Sequence, residues 1–486
     1  MRLGDLLRID NNNCANLLRP DPDLEVSGAA IDSRKVTAGC LFGAFRGSAH
    51  NGEDFIGSAI ERGAVAVVAR PEARVAGAVH LADPEPRRLF AKLAAKLLAP
   101  YPETIVAVTG TNGKTSTVEM VRQLWRMAGL RSASIGTLGV TTADDQVSTG
   151  LTTPDIVTFL SNLAGLRRMG ISHVAYEASS HGLDQFRSEG QRVVAAAFTN
   201  LSRDHLDYHA DMDAYFAAKM RLFDEVVASD ATAVVWTGDL RSGEVIERAK
   251  ARGLKLVTVG PGAETIELVS QTPTALGQAL ILRHEGKEHK LHLPLIGAYQ
   301  AANVLVAAGL VLASGGNWAE TFRGMARLAP VRGRLERAVI TSGGVPVYVD
   351  YAHTPDAIEA AIAALRPHVA SQGQGRLIIM FGAGGDRDMG KRAPMGEVAG
   401  RLADVAIVTD DNPRSEDPAT IRAAVMSGGA GLREIGGRRE AIAAAIAEAR
   451  AGDVVLLAGK GHEQGQILAD RTIPFDDVAV ARECAA

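Results

Sequence analysis

Short runs of valine, isoleucine and alanine alternate with amphipathic helical patterns along most of the 486 residues. Residues 105–108, 173–176, 193–198 and 233–236 read as buried strands in one stretch. Residues 345–349, 377–381, 405–408 and 454–457 repeat the pattern in a second. Apolar runs separated by helices are the signature of βαβ units and parallel sheets, so the expected fold class is α/β. Ahead of both stretches, the first ninety or so residues end in an amphipathic helix over 87–98. Ala99-Pro100-Tyr101-Pro102 then stops it, because proline cannot continue a helix. A second break falls at Ala329-Pro330-Val331-Arg332-Gly333-Arg334. These breaks predict three domains, 1–98, 99–331 and 332–486.

Most of the apolar runs are followed at once by polar or glycine-rich residues: Thr109-Gly110, Glu177, Thr199-Asn200, Asp350-Tyr351, Gly382, Thr409-Asp410 and Gly459-Lys460. In open parallel sheets, ligands sit outside the carboxyl ends of the strands. The expectation is two α/β units with their polar edges facing one cleft, and hinges near Pro102 and Arg332.

The loop after 105–108 carries the clearest chemistry. Thr109-Gly110-Thr111-Asn112-Gly113-Lys114-Thr115-Ser116 opens a helical pattern that runs to Met127. Backbone amides of such a loop cradle phosphates at a helix N-terminus, Lys114 supplies a cation, and Thr115 offers a hydroxyl to Mg²⁺. Two residues, not the usual four, separate Gly110 from Gly113. A magnesium phosphate site needs a few hard oxygen ligands, which makes Glu177 a candidate. His205 lies in the second dense polar cluster, Thr199-Asn200-Leu201-Ser202-Arg203-Asp204-His205-Leu206-Asp207-Tyr208-His209. Lys219 follows Tyr215 and Phe216 and precedes Met220 and Phe223; composition alone favours a solvated lysine on an amphipathic helix.

Composition narrows the options further. The chain has 52 basic and 56 acidic side chains, net charge −4, and 5% aromatic residues. Neither a basic surface nor stacking platforms for nucleic acid are indicated. The 47% hydrophobic content suits a globular chain, and no stretch approaches the ~20 apolar residues of a membrane span. Arg2, Asp5, Arg8 and Asp10 interrupt the first twenty residues, so no apolar leader is expected there. Cys14, Cys40 and Cys484 form neither a disulfide framework nor a zinc pattern, which favours a reducing cytoplasm. Glycine, at 51 residues, is in surplus, and the loops account for much of it.

The motifs Gly110-Thr111-Asn112-Gly113-Lys114-Thr115, Glu177-Ala178-Ser179-Ser180-His181, Asp350-Tyr351-Ala352-His353-Thr354-Pro355-Asp356, Asp411-Asn412-Pro413-Arg414 and Gly459-Lys460-Gly461-His462-Glu463 stand in one order. With the 200–209 cluster and residues 381–392, they resemble the Mur ligases, the ATP-dependent amino-acid ligases of peptidoglycan synthesis, over nearly the whole chain. The resemblance implies an N-terminal domain holding a UDP end, a central P-loop ATPase sheet, and a C-terminal Rossmann-like domain delivering the amino acid. It implies that Gly110 to Ser116 bind ATP, with Thr115, Glu177 and His205 around Mg²⁺. Lys114, Glu177, His205 and Lys219 become the catalytic set, and Lys219 matches a lysine the family carbamylates. Asn303 matches the asparagine near adenine, although Gln300 stands where asparagine is usual; Arg334 and Asp350 are further ATP contacts. Ile31, Ser33, the 47–52 loop, Thr152, Thr153, Ser179, Gln185 and Arg187 match positions that hold a UDP-MurNAc-dipeptide.

The Asp411-Asn412-Pro413-Arg414 motif resembles that of members adding meso-diaminopimelate rather than L-lysine. Meso-diaminopimelate ends in a second carboxylate that an arginine can grip through two parallel hydrogen bonds; lysine offers only an ammonium there. Arg387 could hold substrate carboxylate too, and Glu463 with the Gly459 backbone would accept from the distal ammonium. The expected function is ATP-dependent addition of meso-diaminopimelate to the D-Glu γ-carboxylate of UDP-MurNAc-L-Ala-D-Glu. An L-lysine-adding relative, a folylpolyglutamate-synthetase-like ligase and a nucleotide-driven switch are the rival readings. Expected partners are these small molecules, with neither nucleic acid nor membrane, for a cytoplasmic monomer.

Overall fold

The computed structural model describes residues 1–8, 21–47, 50–147, 151–206, 208–274, 276–370 and 375–486. Asp10, Cys14, Ser48, Ala49 and Asp207, named above, lie outside the described residues. The chain forms two compact units, Met1–Val259 with Val306–Thr321, and Gly260–Leu305 with Phe322–Ala486.

The first unit opens with a parallel sheet of β1 (Gly28–Ala30), β2 (Cys40–Gly43), β3 (Ala64–Ala69) and β4 (Val79–Ala82), in that order. The expected helix is present as Pro86–Leu98, with proline in its first turn where no amide partner is needed. Its Phe90, Ala91, Leu93 and Ala94 are fully buried in a core shared with Leu41 and Val68.

Eight further strands follow: β5 (Thr104–Thr109), β6 (Ser132–Gly136), β7 (Gly139–Thr141), β8 (Gln146–Val147), β9 (His173–Glu177), β10 (Ala195–Phe198), β11 (Thr232–Trp236) and β12 (Lys255–Gly260). Their order is β12-β11-β10-β5-β9-β6-β7-β8, parallel from β12 to β6 and antiparallel over the last pairs. The apolar run at 193–198 enters the ladder only at Ala195. Val193 contributes burial instead of pairing, which periodicity cannot distinguish. Because β5 lies between β9 and β10, the loops after all three strands emerge side by side.

The second unit holds an antiparallel meander, β13 (Ile266–Thr274), β14 (Gly277–His284) and β15 (Lys287–Leu293). It also holds a sheet of β16 (Glu336–Ile340), β17 (Pro346–Asp350), β18 (Leu377–Phe381), β19 (Val405–Val408), β20 (Leu432–Glu434) and β21 (Val454–Ala458). The order β16-β17-β21-β18-β19-β20 is parallel except for β16. β17, β18 and β21 are buried at every position, as a sheet covered on both faces requires. One core packs Ile358, Leu365 and Met395 against one face; another packs Ile442, Ala445 and Val478 against the other. A wholly buried pair, Arg438 and Asp477 at 2.5 Å, joins helices Arg438–Glu448 and Asp477–Ala485. The same guanidinium donates to the carbonyls of Ala458 (3.0 Å) and Asp410 (3.2 Å), so its polar valences are filled.

Candidate active site

The loop after β5 is fixed by the chain end of β10. Thr111 N donates to Asn200 O (2.9 Å) and Asn112 N to Asn200 Oδ1 (2.9 Å). Thr199 Oγ1 donates to Asn112 O (2.7 Å), and Ser202 N to Thr111 Oγ1 (3.0 Å). Gly110 has φ +142°, and a β-carbon there would lie 2.0 Å from Thr199 Oγ1, so only glycine fits. Gly113 precedes helix Lys114–Met127, and Thr115 and Ser116 are buried in its first turn. Loop amides at a helix N-terminus, with a cation beside them, are an anion site by geometry. Lys114 Nζ donates to the carbonyls of Gly110 (3.0 Å) and Thr111 (2.7 Å), bent back over the loop.

Lys219 overturns the expectation of a solvated side chain. It is 1% exposed, and its Nζ donates to Gly110 O (2.7 Å) and sits 4.2 Å from the Tyr215 ring centre. Burial first, then the nearby Lys114 cation, push its pKa well below that of an ordinary lysine. Helix Met212–Arg221 aims it there, started by Asp211 accepting from Ala214 N (2.7 Å). Tyr215 OH also contacts Thr111 Oγ1 at 3.3 Å, so one helix face carries two side chains to the loop.

Glu177 ends β9 and is buried. Its carboxylate accepts from Thr137 N (2.7 Å) and Thr137 Oγ1 (3.3 Å), a partner that sequence reading passed over. Local pattern gave little signal: Ser132-Ala133-Ser134-Ile135 ahead of Gly136-Thr137 alternates instead of forming an apolar run. Thr137 Oγ1 meets Thr152 Oγ1 (3.0 Å), while Thr153 Oγ1 donates to Glu177 O (2.8 Å) and lies 2.9 Å from Ser179 Oγ. Arg187 donates to Thr153 O (3.0 Å) and Gln185 Oε1 (2.7 Å), and Gln185 Nε2 to Tyr208 OH (3.0 Å). Thus Glu177, Thr152, Thr153, Ser179, Gln185 and Arg187 form one connected patch. No carboxylate among the described residues is within ion-pair distance of Arg187. His205 has φ +52°, and its ring stacks edge-on against His181 at 4.9 Å. Ser33 is buried after β1, and Ile31 packs on the core.

In the second unit, the loops after β17, β18, β19 and β21 assemble a separate cluster. Asp350 accepts from Leu335 N (2.7 Å) and Ala352 N (2.9 Å); burial raises its pKa, and Arg334 opposes that. Arg334 stacks 5.1 Å over Tyr351, whose ring also meets His353 and His462. Burial, with Arg334 and Arg332, pushes the pKa of His462 down to about 4. Asn303 donates to Gln300 Oε1 (3.0 Å), and Gln300 Nε2 reaches toward Arg334 O (3.4 Å).

The 411–414 motif is held tightly. A β-carbon on Gly385 would lie 1.9 Å from Pro413 O, so the glycine loop after β18 packs directly on the motif. Arg414 has φ +52°, and its Nη1 donates to Gly385 O (2.8 Å). No carboxylate among the described residues lies within ion-pair distance of Arg414 or of the exposed Arg387. Asn412 Nδ2 donates to Glu463 Oε2 (2.8 Å). Gly459, φ +113°, donates its amide to Asp350 O (3.1 Å), linking the two edges of the cluster. Among the described residues no three His, Cys, Asp or Glu side chains gather as a metal cage.

A parallel sheet with a phosphate-type loop, and a second sheet whose strand-end loops carry Arg387 and Arg414 without an ion-pair partner among the described residues, mark a nucleotide-dependent α/β enzyme. Family models match in three successive segments. The Mur ligase family catalytic domain covers residues 25–98, the Mur ligase middle domain 108–311, and the Mur ligase glutamate ligase domain 333–461. The UDP-N-acetylmuramoyl-L-alanyl-D-glutamate–2,6-diaminopimelate ligase of Zymomonas mobilis is 57% identical, with 95% of each chain covered. The ligase of that name from Caulobacter vibrioides is 48% identical over 94% of this chain and 95% of its own. A solved structure under the same name aligns with TM-score 0.75 and 31% identity, covering 100% of this chain and 98% of the other. The chain belongs to the Mur ligase family. It is an ATP-dependent ligase that forms amide bonds between small molecules. No helix of the described residues is long and apolar enough to cross a membrane.

Proposed function

We propose that the protein joins meso-2,6-diaminopimelate to the D-Glu γ-carboxylate of UDP-MurNAc-L-Ala-D-Glu in peptidoglycan precursor synthesis, as a cytoplasmic monomer. The observation that carries this is Arg414, held to Gly385 O with no ion-pair partner among the described residues, on the motif whose Asn412 bonds Glu463. An arginine and a carboxylate carried by one loop cluster match a substrate end bearing both carboxylate and ammonium. The high identity to relatives named for this reaction supports the same reading.

The γ-phosphoryl group of ATP passes to the D-Glu γ-carboxylate, giving an acyl phosphate and ADP. The amine of meso-diaminopimelate attacks the acyl carbon; the C–N bond forms, the C–O bond to phosphate breaks, and the amine loses a proton. The residues of the 110–116 loop bind the nucleotide, and Lys114 offsets the charge of its terminal phosphates. Thr115, Glu177 and His205 would hold Mg²⁺; a hydroxyl, a carboxylate and an imidazole suit an ion that takes few protein ligands, and it supplies positive charge to the phosphates. Thr152, Thr153, Ser179, Gln185 and Arg187 hold the peptide end, with Ile31 and Ser33 at the UDP end. Asn303, Arg334 and Asp350 serve ATP; Arg387, Asp411, Asn412, Pro413, Arg414, Gly459 and Glu463 serve the amino acid. Three domains, divided at 98/99 and 331/332, fit this partition.

Lys219 is the modification site of the proposal. Its depressed pKa favours the neutral amine, the form that adds to CO₂ to give N6-carboxylysine, the proton going to solvent. The main test is phosphate release with ATP and UDP-MurNAc-L-Ala-D-Glu, offering meso-diaminopimelate, L-lysine or no amino acid. Release should depend on meso-diaminopimelate; equal release without any amino acid would rule out the reading.

A further inference from the structure

Within the amino-acid cluster stands a buried lysine that the assignments above leave without a role. Lys460, just past β21, is 0% exposed. Its Nζ donates to Asn412 Oδ1 (2.8 Å) and Gly465 O (2.8 Å), and lies 3.5 Å from Asp411 Oδ1 and 3.7 Å from Glu463 Oε2. Asn412 Oδ1 also accepts from Ile467 N (3.0 Å), while Asn412 Nδ2 donates to Glu463. Every polar atom of the Asn412 side chain is therefore fixed, and Lys460 is the hub of that arrangement.

Asp411 shows what the lysine is for. Its Oδ1 is buried and makes no hydrogen bond among the described residues, so the ammonium at 3.5 Å is its compensating charge. An uncompensated buried carboxylate costs several kcal/mol, as does a buried ammonium. Burial disfavours the charged lysine, and the Asp411 carboxylate opposes that. Asp411 and Glu463 both lie within 4 Å of this ammonium, and the Lys391 and Arg438 cations act on Asp411 from farther away.

We propose that Lys460 is a positioning residue for amino-acid selection: it orients Asn412 and cancels one of two carboxylates, so that the pocket suits a terminus carrying both charges. This rests on the ligase reading above. Without the lysine, Asp411 and Glu463 would lose the cation closest to both, and the pocket would become more negative. It would attract any distal ammonium and repel the carboxylate next to it, which shifts preference from meso-diaminopimelate toward L-lysine.

The test compares full-length wild type, Lys460→Met and Lys460→Met/Asp411→Asn with ATP and UDP-MurNAc-L-Ala-D-Glu. In Lys460→Met the KM for meso-diaminopimelate should rise about ten-fold or more, and its preference over L-lysine should fall similarly, with the KM for ATP nearly unchanged. The double variant removes the surplus carboxylate and should recover part of the preference. A single variant with unchanged amino-acid KM, or a double variant no better than the single, overturns the proposal. So does loss of ADP binding by calorimetry in both variants, which would make Lys460 a residue of the fold. Wild-type phosphate release that ignores amino acids would instead sink the ligase reading and leave a recognisably different result.

Discussion

On the proposed reading, the two loop clusters hold charged ligands by opposite means. After β5, the loop is tied by main-chain and amide bonds to Asn200 and Thr199, and glycine is enforced at residue 110. What it would offer a ligand is the amides that open helix Lys114–Met127, which any nucleotide phosphate would satisfy. After β19 and β21 the groups on offer are charged side chains: Asp411, Lys460 and Glu463 linked around Asn412, with Arg414 two residues further on. Backbone recognition is generic, and side-chain recognition is selective. A family can therefore keep the first cluster while changing the second to admit a different amino acid.

The largest expected effect is at the generic loop. Lys114→Ala should lower kcat by roughly 10²–10³-fold, measured as phosphate release, because it removes charge offset from the transferred phosphoryl group. Folding should be retained. Gly110→Ala should go further and damage the loop itself, destabilising the protein by about 3 kcal/mol in denaturant melts through the clash with Thr199. A stable Gly110→Ala protein with normal turnover would show that the loop is not as constrained as its geometry indicates.

The selective cluster should respond in binding instead of turnover. Arg414→Ala should raise the KM for meso-diaminopimelate by about 2 kcal/mol, roughly thirty-fold, with the KM for ATP unchanged. Equal loss for both substrates would collapse the distinction between the two loops. A pH dependence beside that cluster bears on stability instead of turnover or binding. His462 has a folded pKa of about 4 and an unfolded value near 6.5, so between them the unfolded chain binds the extra proton. Stability should therefore fall as pH drops from 6.5 to 4, by up to about 3 kcal/mol. His462→Phe should flatten that slope in urea melts taken across the range, and an unaltered slope would assign it to other groups.

Much of this molecule is legible from its one-dimensional pattern. The strands at 377–381 and 405–408 match the observed β18 and β19 residue for residue, because continuous apolar runs bounded by polar loops leave little freedom. The nucleotide loop was readable for a similar reason: glycine spacing, a lysine and a helix start lie within eight residues. Lys219 was not. Its burial depends on Gly110 O, 109 residues earlier, and nothing local distinguishes it from a solvated lysine. Thr137 and Glu177 are 40 residues apart, and Lys460 and Asn412 are 48 apart.

The sequence by itself determined the α/β class, the placing of polar residues at strand ends and the types of charge available there. Those follow from periodicity and loop chemistry, which act over a few residues. Only the tertiary structure decided which charges are buried, which are paired and which are left facing a ligand. Burial and pairing are set by strand order, and strand order brings together residues that the chain keeps far apart.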